Sequence, residues 1–416
     1  MRHKIGALAV LVCLLLGACS QQKIPDKSTV TITEHLTDNK TDSGMVQLNS
    51  EKERKLYQAD SKMNLTSTSR KIVLALKDEE YIYLQAATND PIPGGGMLSY
   101  VLWKEKVGNA GAEKAQLGEI NFFTINQDWI ITEDNVFFVV TELSADPVSD
   151  NPFVNVIYQL SLKGESALRE VYRDARTLPG AYIELYDSYL LIRQAEREGE
   201  RYSTWLELYD PIKQKLMTAS GKYTSINGLG QYLMNISVDN DIIYGVFSER
   251  DQADEEHETP AILIFNENLE ETGRIQTNAV KDYMINTYPY HFQVSGSNVM
   301  ITNGNQNETL FAVIENGSLK ELGREQQYLP AVGSETGSSR VYVDLRTNSL
   351  RSYDYLTQEM TGTETLFPAG DWKIMRIWID NDKILFEKRT IKEKDGIYFT
   401  YQIANLNEIK FYQGGK

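Results

Sequence analysis

A short polar turn followed by an apolar strand recurs seven times along this chain, and the recurrence limits the fold more than any other feature. It reads KDEEYIYL, TEDNVFFVV, YDSYLLIR, DNDIIYGV, GSNVMIT, SSRVYVDL and DNDKILFEK. The first apolar residues after the turn are Tyr81, Val136, Tyr189, Ile242, Val299, Val341 and Ile384, at intervals of 42 to 57 residues with a mean of about 50. A second hairpin pattern follows in most units, as in VIYQLSLKGESALREVY, TWLELYDPIKQKLMT, AILIFNENLEETGRI, LFAVIENGSLKELG and YFTYQIANLNEIKFY. Each unit therefore reads strand, turn, strand, loop, strand, turn, strand.

Four antiparallel strands in a repeat of roughly 40–50 residues is the pattern of a propeller blade. One twisted four-stranded sheet cannot bury both of its faces alone, whereas sheets stacked in a ring can. The expected fold is all-β, a β-propeller of about seven four-stranded antiparallel blades over residues 71–416, with six or eight blades also open. A pair of β-sandwich domains is the competing reading, since sandwiches space their strands evenly too. The texture from Lys71 to Gln413 is uniform, however, and no Pro/Gly-rich break marks a boundary; the unit around Leu329–Phe367 is short and irregular. No Gly-His…Trp-Asp, paired-glycine or Asp-box signature is present, and Ser203-Thr204-Trp205 lacks the Asp and Gly of the last.

The N-terminus has a different character. Arg2 and Lys4 precede an unbroken run of apolar and small residues, IGALAVLVCLLLGA, which ends at Cys19. Fourteen residues are too few for a spanning helix, which needs roughly 20, and the order of charge, apolar run and small residues is that of a secretory signal. Leu16-Gly17-Ala18-Cys19 resembles the lipobox of bacterial lipoprotein precursors. The resemblance implies cleavage between Ala18 and Cys19, a diacylglycerol and further acyl chain such as palmitate on Cys19, and attachment to the extracytoplasmic face of a cell membrane, the outer one if the host has two. Loss of Arg2 and Lys4 with the signal, residues 1–18, takes the formal charge from −16 to −18. Residues 19–70 then hold the lipidated cysteine and a polar stretch, QQKIPDKSTVTITEHLTDNKTDSG and onward, whose composition is that of a linker.

Composition narrows the chemistry. The chain has 42 Lys+Arg against 58 Asp+Glu, a balance that speaks against nucleic acid or an anionic membrane as a broad partner. Neither of its two cysteines lies beyond position 19, which excludes a disulfide framework and a Cys-based zinc site. Beyond the signal the only histidines are His35, His257 and His291, with no Gly-x-Ser-x-Gly elbow and no His-Glu-x-x-His pair. Gly94-Gly95-Gly96 and Gly228-Leu229-Gly230 lack the residues that would make them phosphate loops and read as hairpin or inter-strand loops. The densest acidic run, SERDQADEEHE, reads as a solvated loop between strands; a calcium site using Asp251, Asp254, Glu255, Glu256 and Glu258 is the other reading of it. Trp103, Trp205, Trp372 and Trp378 fall in strand-like segments and suit a core better than a sugar-stacking platform.

No cofactor motif and no catalytic constellation emerges. The functional expectation is a membrane-tethered, extracytoplasmic lipoprotein whose non-catalytic propeller binds or scaffolds an envelope protein or surface glycan. The alternative is a surface glycoside hydrolase or polysaccharide lyase working in a propeller cleft with paired carboxylates.

Overall fold

The computed structural model describes residues 71–413 apart from 78–79, 88–96, 107–113, 127–128, 145–151, 164–166, 251–257, 285–288, 304–307, 327–332, 337–338, 345–348, 355–356, 364–365, 367–371 and 393–395. All of them belong to one compact unit, residues 45–414. The signal, Cys19 and the linker lie outside the described residues.

The strands form in chain order as a series of antiparallel groups. The first is β1 (Ile72–Lys77), β2 (Glu80–Ala86), β3 (Leu98–Lys106) and β4 (Lys114–Phe122). The second has a first strand in two pieces, β5 (Thr124–Ile125) and β6 (Ile130–Ile131), both paired with β7 (Asn135–Leu143), then β8 (Phe153–Ser161) and β9 (Leu168–Arg176). In the third, β10 (Tyr182–Tyr186), β11 (Tyr189–Glu198) and β12 (Arg201–Asp210) are followed by β13 (Lys215–Ala219) and β14 (Tyr223–Ile226), which pair with the two halves of β12 as one broken outer strand. The fourth is β15 (Leu229–Asp239), β16 (Ile242–Arg250), β17 (Glu258–Phe265) and β18 (Glu271–Gln276). A four-residue helix, α1 (Lys281–Met284), leads to the fifth: β19 (Pro289–Ser295), β20 (Asn298–Asn303), β21 (Glu308–Glu315) and β22 (Ser318–Gln326). The sixth is β23 (Gly333–Thr336), β24 (Ser339–Asp344), β25 (Ser349–Asp354) and β26 (Glu359–Gly362), and the seventh β27 (Trp372–Asp380), β28 (Lys383–Lys392) and β29 (Gly396–Asn405).

Every polar turn singled out in the sequence joins the first strand of a group to the second. Four of them, between β10 and β11, β15 and β16, β19 and β20, and β27 and β28, turn tightly because their residues tolerate a left-handed backbone: Asp187, Asn240, Asp241, Gly296 and Asn381 all have positive φ. Asn227-Gly228 makes the same kind of turn between β14 and β15, so the Gly228-Leu229-Gly230 loop is a hairpin, as expected. Gly230, at φ +118°, could carry no side chain there, since a Cβ would sit 2.6 Å from the Thr224 carbonyl oxygen.

The second strands are apolar on both faces because both faces are buried. In β7, Val136, Phe138 and Val140 pack toward the first group, while Phe137 and Val139 pack toward the third. In β16, Ile243 and Phe247 meet the third group, and Tyr244 and Val246 the fifth. Ile384 and Phe386 of β28 face the sixth group, and Leu385 faces the first. A thinner cluster of Met300, Phe311 and Tyr353 joins the fifth and sixth. Among the described residues every successive pair of groups thus shares a core, and the last group shares one with the first. This is a β-propeller. It differs from the sandwich reading in the respect that matters physically, for a sandwich buries one face of each sheet and these sheets bury two.

The end of the chain departs from expectation. YFTYQIANLNEIKFY does not close into a hairpin, because β29 runs into a 3-10 turn at Leu406–Glu408 and Ile409 is drawn into the core between the sixth and seventh groups. The chain then forms β30 (Tyr412–Gln413), which pairs with β26 of the sixth group. Among the described residues the seventh group has three strands.

Candidate functional site

Three concentrations of buried polar and aromatic side chains stand out, two of them in the walls between blades. The first closes the ring. Lys71, the residue before β1, has a side chain only 4% exposed, and its ammonium donates to Tyr81 Oη at 2.6 Å and Glu105 Oε2 at 3.0 Å. Tyr83 Oη donates to the same Glu105 oxygen at 2.7 Å. The ammonium lies over the Tyr83, Tyr81 and Tyr401 rings, 4.1, 4.8 and 5.6 Å from their centroids. From β29, the Tyr401 hydroxyl accepts from the Lys71 backbone N–H at 3.1 Å, donates to its carbonyl at 2.8 Å and lies 3.3 Å from Glu387 Oε2. Val73, Leu76, Trp378 and Leu385 pack around this group.

The alternation of β2 explains the arrangement. Tyr81 and Tyr83 fall on the face opposite to Ile82 and Leu84, and their stacked rings, 5.1 Å apart, make one wall of the seam. Burial pushes the Glu105 carboxyl up, but the Tyr83 hydroxyl and the Lys71 ammonium outweigh it and hold the group below its ordinary value. Burial lowers Lys71, and its attraction to Glu105 recovers only part of the shift. The two partners therefore do not benefit equally: the seam favours the carboxylate more than it favours the ammonium. Burial and the Glu105 charge raise both tyrosines.

The second cluster lies between the second and third blades. Glu207 accepts from Tyr172 Oη, Gln194 Nε2, Trp205 Nε1 and Arg176 at 3.0, 3.0, 2.9 and 3.3 Å. Trp205 is buried, with the Arg176 and Lys222 cations 4.9 and 4.5 Å from its ring. The third cluster centres on Glu258, which accepts from Tyr232 at 2.7 Å, from Arg250 at 2.9 Å and from Ser248. Burial raises its carboxyl, and the Ser248, Tyr232 and Arg250 contacts together bring it below the usual range. In all three clusters the carboxylate accepts two or more hydrogen bonds from the protein's own side chains, which is the chemistry of a structural anchor.

The acidic run is therefore corrected at its end. Glu258 is not part of a solvated loop: it is a buried residue of β17 with three protein donors, and a cation would have to displace Arg250. Glu249 belongs to β16 and accepts from Gln231 at 2.9 Å. Asp251, Asp254, Glu255, Glu256 and His257 lie outside the described residues, and among the described residues no group of metal-ligating side chains is drawn together. His291 sits in β19, 3.3 Å from Gln293 Oε1. Trp205 and Trp378 are core residues, in line with the sequence reading, and Trp103 lies beneath the Lys114 ammonium at 3.8 Å. Sequence reasoning missed Lys71, Glu105 and Tyr401, whose only signal is a Lys at the linker boundary and a Glu inside a strand.

No family model and no curated protein matches the chain. Among solved structures, its fold is similar to the β-propeller domain of the Trilobed protease from Pyrococcus furiosus, with TM-score 0.47 and 11% identity over 82% of this chain and 96% of that one. It is also similar to the polysaccharide lyase Uly1, with 0.45 and 10% over 82% and 91%, and to the WD40 domain of Toxoplasma gondii coronin, with 0.43 and 12% over 83% and 87%.

The buried carboxylates can be tested by substitution and by pH. Replacing Glu105 by Gln strands the Lys71 charge in a desolvated wall and should lower unfolding free energy in urea by about 3–5 kcal/mol, with much of it restored in Lys71→Met/Glu105→Leu. A loss under about 1 kcal/mol would mean that water reaches the pair. Because Glu105 and Glu258 have depressed folded-state values, their stabilisation is complete above the unfolded glutamate value of about 4.3 and disappears as pH falls through the folded ones. The urea midpoint should drop below about pH 4.3 in the parent chain and drop less in Glu105→Gln/Glu258→Gln; parallel curves would remove these two groups from the acid transition.

Proposed function

We propose that this chain is a lipoprotein of the bacterial cell envelope: a propeller held at the extracytoplasmic membrane face by acyl chains on Cys19, binding an envelope protein or surface glycan without catalysing a reaction. The observation that carries the reading is Leu16-Gly17-Ala18-Cys19, placed at the end of the apolar run, with 51 residues between Cys19 and the first propeller residue, Lys71. Two or more acyl chains supply firm anchoring where one is marginal, at about 0.8 kcal/mol per buried methylene. The interior carboxylates described above support a binding rather than a catalytic role, because each is neutralised or saturated by its own blades.

Cells grown with labelled palmitate should incorporate it into the wild-type chain and not into Cys19→Ser, and only the wild type should sediment with membranes. Equal labelling of both would sink the anchor. Crosslinking of intact envelopes followed by mass spectrometry identifies the partner, whereas a sugar-degrading activity with no envelope partner would replace the scaffold by an enzyme.

A further inference from the structure

The outer edge of the third blade differs from the rest of the surface. Seven large hydrophobic residues of the described chain are prominently exposed, and four of them, Ile212, Leu216, Met217 and Ile226, belong to this one edge, at 75, 46, 46 and 49%. Ile212 tips the turn between β12 and β13; Leu216 and Met217 lie in β13 and Ile226 in β14. Leu216 and Met217 are successive residues of β13 and both are half-exposed, which marks an uncovered apolar ridge along the edge.

The segment that forms this edge is basic, although acids of neighbouring strands approach it: Asp210 and Glu196 pair with two of its lysines, and the Glu271 charge acts on Tyr223. From Pro211 to Val238 there is no Asp or Glu in a chain that has 58 of them, and Lys213, Lys215 and Lys222 lie beside the apolar residues. Lys213 reaches back to Asp210 at 2.9 Å while remaining two-thirds exposed, and Lys222 pairs with Glu196. Apolar side chains flanked by lysines form the two-part attraction by which a surface element enters the headgroup region of an anionic bilayer.

A strand from another protein is a poorer occupant. The register shifts between Leu208 and Tyr209, which leaves Met217 as the extra residue of a bulge, and the edge breaks again between β13 and β14. Bulges, breaks and lysines are the features that keep an edge from accepting a further strand. A second copy of this chain would bring like lysines together. A lipid surface needs no backbone pairing and suffers from neither feature.

We infer that the Ile212–Ile226 edge docks the propeller onto the anionic surface of the membrane. The inference rests on the tethered reading for its setting, since a lipid-anchored domain is kept at high local concentration over the bilayer. Weak affinity then suffices, and the remaining acidic surface is repelled, which orients the domain with the third blade down.

The test uses the chain from Cys19 to Lys416 with Cys19→Ser, which carries no acyl group, so its outcome is independent of whether Cys19 is lipidated. It should co-sediment with phosphatidylglycerol/phosphatidylcholine vesicles, not with phosphatidylcholine alone, and release in high salt. Lys213→Glu/Lys215→Glu/Lys222→Glu should weaken binding at least about tenfold, with an unchanged circular dichroism spectrum. Should that variant not fold, the absence of any other cysteine after position 19 allows a second reading: an environment-sensitive dye on Met217→Cys should shift to the blue on anionic vesicles, and the same dye on Leu322→Cys of the fifth blade should not. Equal binding to both vesicle types, no binding, or equal shifts at both positions would overturn the inference. So would a triple variant that changes oligomeric mass and leaves vesicle binding intact, because the edge would then join protein to protein.

Discussion

A four-stranded sheet made of strands apolar on both faces is unstable alone, and every other property of this molecule depends on how that exposure is removed. Each second strand sends alternate side chains into two different walls, so no blade can be taken away without uncovering its two neighbours. Most walls join blades adjacent in sequence and form at small chain separation. The wall between the seventh and first blades joins residues 330 positions apart, Lys71 and Tyr401, and carries the loop-closure entropy of the whole ring. It is held by two hydrogen bonds between the Lys71 backbone and the Tyr401 hydroxyl and by stacked aromatic rings. Packing and directional polar contacts together offset what closure costs.

The position of that wall has a consequence for attachment. Lys71 is at once the last residue before β1 and the centre of the seam. Any pull transmitted from an N-terminal anchor would reach the domain at its closing joint, where the backbone N–H and carbonyl of Lys71 are both held by the Tyr401 hydroxyl.

Much of the architecture was legible because it is local. Asn, Asp and Gly at the turns announce left-handed backbone, and continuous apolar runs such as Val136–Val140 announce strands buried on both sides. All seven strand starts read from the sequence fall in the second strand of a group. What escaped depends on distant parts of the chain. The acidity of SERDQADEEHE suggested solvent throughout, yet Glu258 is buried because Tyr232, Ser248 and Arg250 converge on it from β15 and β16. The final hairpin looked like the others, but the burial of Ile409 between two blades redirects the chain to β26. The seam itself was invisible, since a single Lys, Glu and Tyr carry no pattern until the ring brings them together.

Through the Lys71–Tyr401 wall the ring is closed and should unfold as one cooperative unit. Hydrogen exchange of the backbone amides across a urea series, resolved by segment, reads this out. The slowest amides of β2 and β28 should open with the same free energy and the same urea dependence as those of β11 and β16 in the middle of the chain. Opening of β27–β29 at distinctly lower free energy and with a small urea dependence, while β11 and β16 stay protected, would show a ring that is not held shut there.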